Sequence, residues 1–213
     1  MSEVPVEAGA GDVTPKPRRT GVRHFDVIVS ITAIFISAVS LYVAIEHGRT
    51  ERQLVEANVW PFLREIRSND YGPRGDITIG LINAGVGPAK VRSYQVFYRG
   101  KPVSSGLDLL RKCCGLPADV AGVKAALPRG FYYDTVDQTV MMPREDVEAI
   151  KLYRSQTDPQ LANRFAAALN QLSFRACYCS ELDQCWQTNL RSIQAEPVKE
   201  CRAPEHPFNP NGP

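Results

Sequence analysis

The residues with the most evident chemical potential are four cysteines near the C-terminus, spaced C-x-C-x5-C-x15-C: Cys177, Cys179, Cys185 and Cys201. Four thiolates at one site could bind zinc or Cu(I), and thiols of low pKa could carry out redox chemistry. The spacing lacks the paired C-x2-C knuckles of structural zinc sites. Disulfide formation in an oxidising compartment is the favoured interpretation, and a thiol-based redox or metal-handling domain is the alternative.

Two further cysteines, Cys113 and Cys114, are adjacent in the sequence and bring the total to six. Neighbouring cysteines seldom bond to each other, because a disulfide suits Cα atoms that are about 4.4 to 6.8 Å apart. We therefore expect one of the two to pair with a distant thiol.

Histidine is absent from the predicted folded domain, residues 59–195. The three histidines lie at the membrane flanks and in the C-terminal tail: His24, His47 and His206. Without an imidazole as general base, catalysis by a serine or cysteine nucleophile is disfavoured. Carboxylate pairs beside turn signals are interpreted as solvated turn charge: Glu145 with Asp146, and Glu181 with Asp183. We expect no catalytic residue, no metal and no cofactor, and a binding or structural role.

A glycine-rich segment at residues 85–90, Gly-Val-Gly-Pro-Ala-Lys, invites comparison with a phosphate-binding loop. A phosphate cradle needs consecutive backbone N–H donors and a helix after it. Pro88 has no N–H, and the pattern that follows is that of a strand. We interpret the segment as a glycine turn or bulge between two strands.

The elements that must carry these residues begin with a membrane anchor. Val27–Ile45 is a run of 19 uncharged residues, and a helix of this length covers about 28 Å, close to the thickness of a bilayer hydrocarbon core. A cleaved signal peptide or a buried soluble helix fits the flanking sequence less well. The sequence therefore predicts a single-pass protein whose first partner is the lipid bilayer.

Basic residues suggest the orientation of this anchor. Four precede it and two follow closely: Lys16, Arg18, Arg19 and Arg23, then Arg49 and Arg52. Positive residues tend to stay cytoplasmic, which predicts a cytoplasmic (inner) membrane protein with its N-terminus inside and its domain outside. A domain on the cytoplasmic side with reduced cysteines is the alternative.

Small side chains recur along the anchor at intervals of three and four residues: Ser30, Ala33, Ser37, Ser40 and Ala44. A stripe of this kind lets two helix backbones approach closely, and its serines can hydrogen-bond across the contact. We expect weak self-association of the membrane helix.

The whole chain is predicted to have four parts. These are a disordered tail at 1–22, a transmembrane and juxtamembrane helix at 23–58, a β-domain at 59–195 and a Pro-rich extended tail at 196–213. The 25 basic and 23 acidic residues are nearly balanced, and no concentrated basic segment points to nucleic acid. The last part is expected to be anchored at most through Cys201.

Within the domain the dominant period is two. Ile77, Ile79 and Leu81 alternate with smaller or polar residues, as in a strand with one buried face. Further strands are predicted at Val91–Tyr98, Phe131–Val136 and Val147–Tyr153. Because βαβ alternation is absent, an antiparallel sandwich or small barrel is expected.

Two other segments interrupt this pattern. Leu107–Ala126 is interpreted as a loop with short helical turns. Asp158 and Pro159 predict the start of an amphipathic helix, which buries four apolar side chains: Leu161, Phe165, Leu169 and Leu172.

The strongest local prediction is a hairpin between Ser173 and Arg191, with a turn centred on Leu182. This register pairs Phe174 with Leu190, Ala176 with Thr188, Tyr178 with Trp186, and Cys179 with Cys185. It gathers the large apolar side chains on one face, with Tyr178 and Trp186 among them, and the three cysteines of the hairpin, Cys177, Cys179 and Cys185, on the opposite face.

Three short motifs make this chain similar to a set of uncharacterised bacterial single-pass membrane proteins. They are a Trp-Pro pair at 60–61, an N-x-G-x-G-P-A turn at 83–89 and a Y-C-S…C-W motif at 178–186. The resemblance implies an N-terminal anchor and an immunoglobulin-like β-sandwich outside the cytoplasmic membrane, and it implies no activity. With the amphipathic segment, the expected fold is an antiparallel immunoglobulin-like sandwich with one accessory helix.

Overall fold

The computed structural model describes residues 22–70, 75–127 and 131–209. These ranges contain four α-helices: α1 Val22–Asn58, α2 Gly106–Cys114, α3 Val120–Ala126 and α4 Pro159–Ala168. They contain ten strands: β1 Leu63–Asn69, β2 Asp76–Asn83, β3 Ala89–Tyr98, β4 Lys101–Val103, β5 Phe131–Tyr133, β6 Val140–Met141, β7 Asp146–Tyr153, β8 Leu172–Cys179, β9 Cys185–Thr188 and β10 Glu196–Val198. The tail predicted at 1–22 lies outside the described residues except for Val22, which begins α1.

Helix α1 has the length and apolar composition needed to cross a membrane. Its serine and threonine hydroxyls donate to backbone carbonyls one turn earlier, as Ser30 does to Asp26 and Ser37 does to Ala33. Hydroxyls satisfied within the helix cost little in lipid. The chain divides into two structural units between Glu51 and Arg52, within this helix.

The second unit contains two antiparallel sheets, which confirms a mainly β fold with accessory helices. Sheet A has the strand order β1-β2-β7-β5. Sheet B has the order β10-β9-β8-β3-β4, and β6 pairs with the start of β3. Side chains from both sheets and from α2 and α4 form one hydrophobic core.

Ile77, Ile79 and Leu81 of β2 are fully buried as predicted. Thr78 and Gly80 between them are buried as well, so the expectation of a strand with a single buried face is wrong. A bulge in β3, between Val91 and Ser93, was not predicted. An extra residue in one strand shifts its side-chain parity. After the bulge, Tyr94 points into the core and its neighbours, Ser93 among them, point to the outer face of sheet B.

The predicted hairpin register is confirmed along the ladder of β8 and β9. Ala176 pairs with Thr188, Tyr178 with Trp186, and Cys179 with Cys185. Tyr178 is fully buried, and Trp186 is half-buried against it with ring centroids 5.8 Å apart. The ladder ends at Thr188, so the predicted pairing of Phe174 with Leu190 is wrong, although both residues are buried.

Helix α4 begins as predicted. The Asp158 carboxylate accepts a hydrogen bond from the Leu161 N–H at 2.9 Å, and Pro159 occupies the first turn. The helix ends at Ala168, so Leu172 belongs to β8 and is buried there.

Leu107–Ala126, predicted to be a loop with short helical turns, contains two regular helices, so the loop part of that prediction is wrong. This segment forms α2, whose N-cap is Ser105, and α3. The domain therefore has three accessory α-helices among its described residues instead of one. Gly115, at φ 71°, ends α2 in the left-handed conformation that favours glycine.

The domain boundary at residue 195 is also wrong, as is the expectation of an extended tail anchored at most through Cys201. Residues 210–213 of that tail lie outside the described residues. We call residues 196–209 the C-terminal segment. Its first part is β10, in which Pro197 pairs with Trp186. Further along, Phe208 is 2% exposed and meets the Tyr94 ring edge-on at 5.8 Å. Because this contact buries an aromatic ring in the core, the segment is an integral part of the domain.

The glycine turn predicted at 85–90 is confirmed, since it joins β2 to β3. It packs against residues 59–62, which we call the entry segment. A Cβ added to Gly87 would lie 2.1 Å from the Val59 backbone. Only glycine allows so close an approach of two chain segments.

Buried Asn83 holds the same turn in place through four hydrogen bonds. Its side-chain oxygen accepts from the N–H groups of Phe62 and Gly85, at 3.2 and 3.0 Å. Its amide nitrogen donates to the carbonyls of Gly87 and Met141, at 2.8 and 3.1 Å. Every hydrogen-bonding capacity of this buried amide is thus used, and the N-x-G-x-G-P-A motif has a structural explanation.

Candidate functional site

The candidate site lies on the outer face of sheet B, where β8 ends. Alternation along β8 sends Phe174, Ala176 and Tyr178 into the core, so Cys177 and Cys179 face the other way. Cys185 of β9 lies opposite Cys179, with Cα atoms 4.0 Å apart, and the two form the predicted disulfide. The sheet thus holds three cysteines close together on one face of the hairpin formed by β8 and β9.

The fourth cysteine reaches this face through the C-terminal segment. Cys201 follows β10 and forms a disulfide with Cys177, with Cα atoms 5.6 Å apart. The pairing of β10 with β9 brings the chain back across the hairpin. Cys201 is half-buried, whereas Cys177, Cys179 and Cys185 are 7%, 4% and 8% exposed.

The two disulfides touch each other. The Sγ atoms of Cys179 and Cys201, which belong to different disulfides, are 3.8 Å apart. The sulfurs of Cys179, Cys185 and Cys201 all lie within 4.8 Å of one another. In their oxidised form these sulfurs are not metal ligands, since soft cations bind thiolates. Three of the four cysteines in the predicted constellation thus have neighbouring sulfurs, and the fourth, Cys177, is bonded to Cys201.

The expectation for Cys113 and Cys114 is wrong, because the structure bonds these neighbours to each other at the C-terminal end of α2. The other four cysteines are paired around β8, so no distant thiol is left for either. Cys114 is fully buried within the core. This pair is therefore separate from the candidate site.

Charged residues surround the hairpin turn beside the Cys179–Cys185 disulfide. Lys90, the register partner of Cys179, lies 3.3 Å from carboxylate oxygens of both Glu181 and Asp183. Its hydrogen bond to Glu181 raises the pKa of the Lys90 ammonium. These two carboxylates, predicted to be solvated turn charge, are ion-paired.

A groove of about 740 Å³ lies between the outer face of sheet B and the C-terminal segment. Its floor comes from β3, β8 and β9 and includes Ser93, Gln95 and Gln187. Its charged side chains include Arg175 and Arg202. The C-terminal segment forms one wall, and the Cys177–Cys201 disulfide bonds this segment to β8, so the redox state of that bond determines whether the wall is covalently fixed.

A second depression, of about 640 Å³, lies on the other side of β10. Trp60, Trp186 and Cys185 line it. Val198 borders both this depression and the groove. The cysteine cluster is therefore flanked by two concave surfaces, the second of which is lined by two tryptophan side chains.

One premise of the catalytic prediction changes with the structure. His206, assigned to a free tail, lies in the C-terminal segment and lines the groove. The Gln95 side chain donates to the His206 carbonyl at 3.3 Å. The domain thus carries an imidazole after all, and the missing histidine no longer argues against catalysis.

The remaining predicted site residues lie on α1. The side chains of the small-residue stripe are all exposed: Ser30, Ala33, Ser37, Ser40 and Ala44. Their role in helix–helix contact stays a prediction.

Comparison with known proteins adds no assignment. No protein-family model, curated protein or solved structure matches this chain. The arguments about its function therefore depend on the geometry described above.

Sequence reasoning missed the groove because it treated residues 196–213 as a tail. One signal was present, since Phe208 is a large aromatic residue in an otherwise polar, Pro-rich segment. An aromatic side chain that stands alone in such a segment gains from docking on a core. Nothing in the local sequence shows which surface it would find.

Proposed function

We propose that this chain is a single-pass protein of the cytoplasmic membrane. It holds an immunoglobulin-like β-domain outside the cytoplasm, where the domain has a non-enzymatic binding or structural role. The observation that supports this best is the pairing of all six cysteines, because such disulfides persist in oxidising compartments. The apolar helix α1 provides the anchor, and the basic residues before it favour a cytoplasmic N-terminus.

The groove beneath the C-terminal segment is the surface that we assign to binding. Its volume of about 740 Å³ is in the usual range of ligand sites, roughly 300 to 1,000 Å³. Polar side chains on strands, such as Gln95 and Gln187, are held more rigidly than side chains on loops. Arg175 and Arg202 add donors for a polar ligand, and Glu200 and Glu205 add acceptors.

Labelling with a membrane-impermeant maleimide tests the topology. Because the native cysteines are paired, an introduced cysteine is the single reactive thiol. We expect an Arg64→Cys variant, changed at an exposed residue of β1, to react in intact cells. A Ser2→Cys variant should react only after lysis. The reverse pattern would overturn the orientation, and labelling of the unmodified chain would contradict complete pairing.

Site-specific photo-crosslinking in intact membranes tests the groove. A photoreactive amino acid at Gln187, inside the groove, should give a crosslinked product of discrete mass. The same amino acid at the exposed Arg64 of sheet A serves as the matched control. Equal crosslinking at the two positions, or none at Gln187, would remove the groove as the binding surface.

A thiol-based redox or metal-handling role is the second candidate, and the 3.8 Å contact between two disulfides favours it. If the cysteines are reduced in the cell, a thiol count under denaturing conditions would find free thiols instead of disulfides. The reduced chain would then be titrated with Zn²⁺, whose thiolate complexes have tetrahedral geometry. A protein isolated without free thiols would favour the first candidate.

A further inference from the structure

The contact between the two disulfides connects sulfurs that are not bonded to each other. Cys179 and Cys201 have Sγ atoms 3.8 Å apart, within the range of about 3.5 to 4.0 Å at which non-bonded heavy atoms touch. A disulfide is exchanged when a thiolate attacks one of its sulfurs and the other leaves as a thiolate. If either of the two sulfurs became a thiolate, it would already be in contact with a disulfide.

The exposure of the cysteines sets the order of events. Cys201 is half-buried on a segment without regular structure, whereas the other three cysteines are each less than a tenth exposed. Because access limits attack by an external thiol, a reductant reaches Cys201 first. Once it is released from Cys177, Cys201 can rotate towards Cys179, since β10 ends at Val198.

We propose that these four cysteines form an exchange unit that accepts two electrons from a dithiol reductant and redistributes its bonds. The dithiol first attacks Cys201 and expels the Cys177 thiolate. Its second thiol then resolves the mixed disulfide, leaving an oxidised donor and a Cys201 thiolate. Cys201 attacks Cys179 and expels the Cys185 thiolate. The product contains a Cys179–Cys201 bond and thiols at Cys177 and Cys185, and the internal step consumes no further electrons.

The consequence concerns the groove and the turn of the hairpin. In the oxidised chain the C-terminal segment is bonded to Cys177, which lies on β8 in the floor of the groove. After exchange it is bonded to Cys179, two residues further along β8, and the turn is no longer closed by the Cys179–Cys185 bond. Reduction would thus move the covalent attachment of the C-terminal segment instead of removing it.

The experiment uses the full chain in detergent with less than one equivalent of dithiothreitol, quenched with N-ethylmaleimide and mapped by mass spectrometry. Trypsin releases residues 176–191, which carry three of the cysteines, and residues 200–202, which carry Cys201. Cleavage after Tyr178 then separates Cys177 from Cys179. We expect the singly reduced fraction to contain peptide 200–202 bonded to Cys179, with Cys177 and Cys185 alkylated.

Two single substitutions should each produce the Cys179–Cys201 bond, one through a Cys179 thiol and the other through a Cys201 thiol. Cys185→Ser leaves a Cys179 thiol beside the Cys177–Cys201 bond, and Cys177→Ser leaves a Cys201 thiol beside the Cys179–Cys185 bond. Both variants should contain the Cys179–Cys201 bond. In the control, Cys179→Ser, the Cys177–Cys201 bond should persist. A variant that does not fold leaves the wild-type mapping as the deciding measurement.

Bonds from this cluster to Cys113 or Cys114, in place of the Cys179–Cys201 bond, would indicate undirected scrambling and would overturn the proposal. Absence of the Cys179–Cys201 bond from the folded, singly reduced wild type would overturn the proposal. The exchange rests on the proposed function, because both assume that the cysteines are paired in disulfides in the untreated protein. The two fail differently, because free thiols in the untreated protein contradict the proposed function, whereas unchanged pairing after partial reduction contradicts only the exchange.

Discussion

The two ends of the β-domain are attached to it by different chemistry. The entry segment is held by the buried amide of Asn83 and by glycines that allow its backbone to come close. The C-terminal segment is held by the Cys177–Cys201 disulfide and the docked ring of Phe208. The first attachment does not depend on oxidation, whereas the second is complete only after a bond forms between residues 24 positions apart.

This difference indicates which part of the domain can respond to its surroundings. Hydrogen bonds of a buried amide persist in any compartment, because no reagent removes them short of unfolding. A disulfide depends on the redox potential around it. We therefore expect the entry segment to behave as fixed structure and the C-terminal segment to be the part that changes.

The largest effect is expected at the entry segment. Asn83→Ala removes four hydrogen bonds and leaves buried N–H and C=O groups without partners. Each unsatisfied buried group costs about 1–3 kcal/mol, so we expect the unfolding free energy to fall by about 4 kcal/mol in oxidised and reduced protein alike. Urea unfolding of the full chain in detergent measures it.

The matched control for this substitution is Asn170→Ala, at an exposed position, which should change the unfolding free energy by less than about 0.5 kcal/mol. If Asn83→Ala lowered the unfolding free energy by a similarly small amount, the hydrogen bonds of the Asn83 amide would not be what holds the entry segment.

A somewhat smaller effect is expected at the C-terminal segment. Replacing both Cys177 and Cys201 by serine opens a loop that spans 24 positions, and loops of this length contribute about 3 kcal/mol through the entropy of the unfolded chain. We expect the variant to be less stable than the wild type only under oxidising conditions. In a reductant both proteins lack the Cys177–Cys201 bond, so their stabilities should be the same. Thermal unfolding with and without a reductant measures it. A wild type whose stability did not respond to reduction would remove the contrast between the two ends.

The pH dependence should come from the carboxyl group of Asp137, which accepts a hydrogen bond from the backbone N–H of Tyr94, the residue that Phe208 contacts. Burial raises the pKa of Asp137 to about 6, and its Oδ1 atom is buried without a hydrogen-bond partner among the described residues. Because the folded state holds this proton more tightly than the unfolded state, the unfolding free energy falls as the pH rises from about 4 to 6.

Asp137→Asn should remove that dependence and stabilise the protein by about 1–2 kcal/mol at pH 7. Exposed Asp146 offers the control, since Asp146→Asn should leave the dependence in place. Unfolding curves at pH 4, 5, 6 and 7 distinguish the two. A dependence retained in Asp137→Asn would assign it to another group.

The smallest effect concerns α1, which lies outside this comparison. Replacing Ser37 or Ala33 by isoleucine should weaken self-association of the helix, because the larger side chain separates the two backbones. Phe35→Ile, on another face, should have no effect. A membrane association assay of the full chain compares them, and equal effects at both faces would contradict the stripe.

The sequence alone was sufficient wherever the information lay within a few residues. It determined the apolar helix α1, the start of α4 at Asp158, the three core side chains of β2 and the register that brings Cys179 opposite Cys185. Each of these follows from a local rule of helix capping, periodicity or cross-strand pairing. The two-sheet, mainly β architecture followed from the same patterns.

Tertiary structure decided what depended on distant partners. Phe208 docks on Tyr94, and Cys201 bonds to Cys177. Neither contact could be predicted, because the local sequence of one segment does not indicate which distant segment it will meet. The bulge in β3 was not predicted either. The pairing of Cys113 with Cys114 also depended on the tertiary structure, because the other four cysteines are bonded to one another and leave no other partner. The physical reason is that local propensity acts over a few residues, whereas burial and disulfide pairing are determined by whichever surfaces the completed fold brings together.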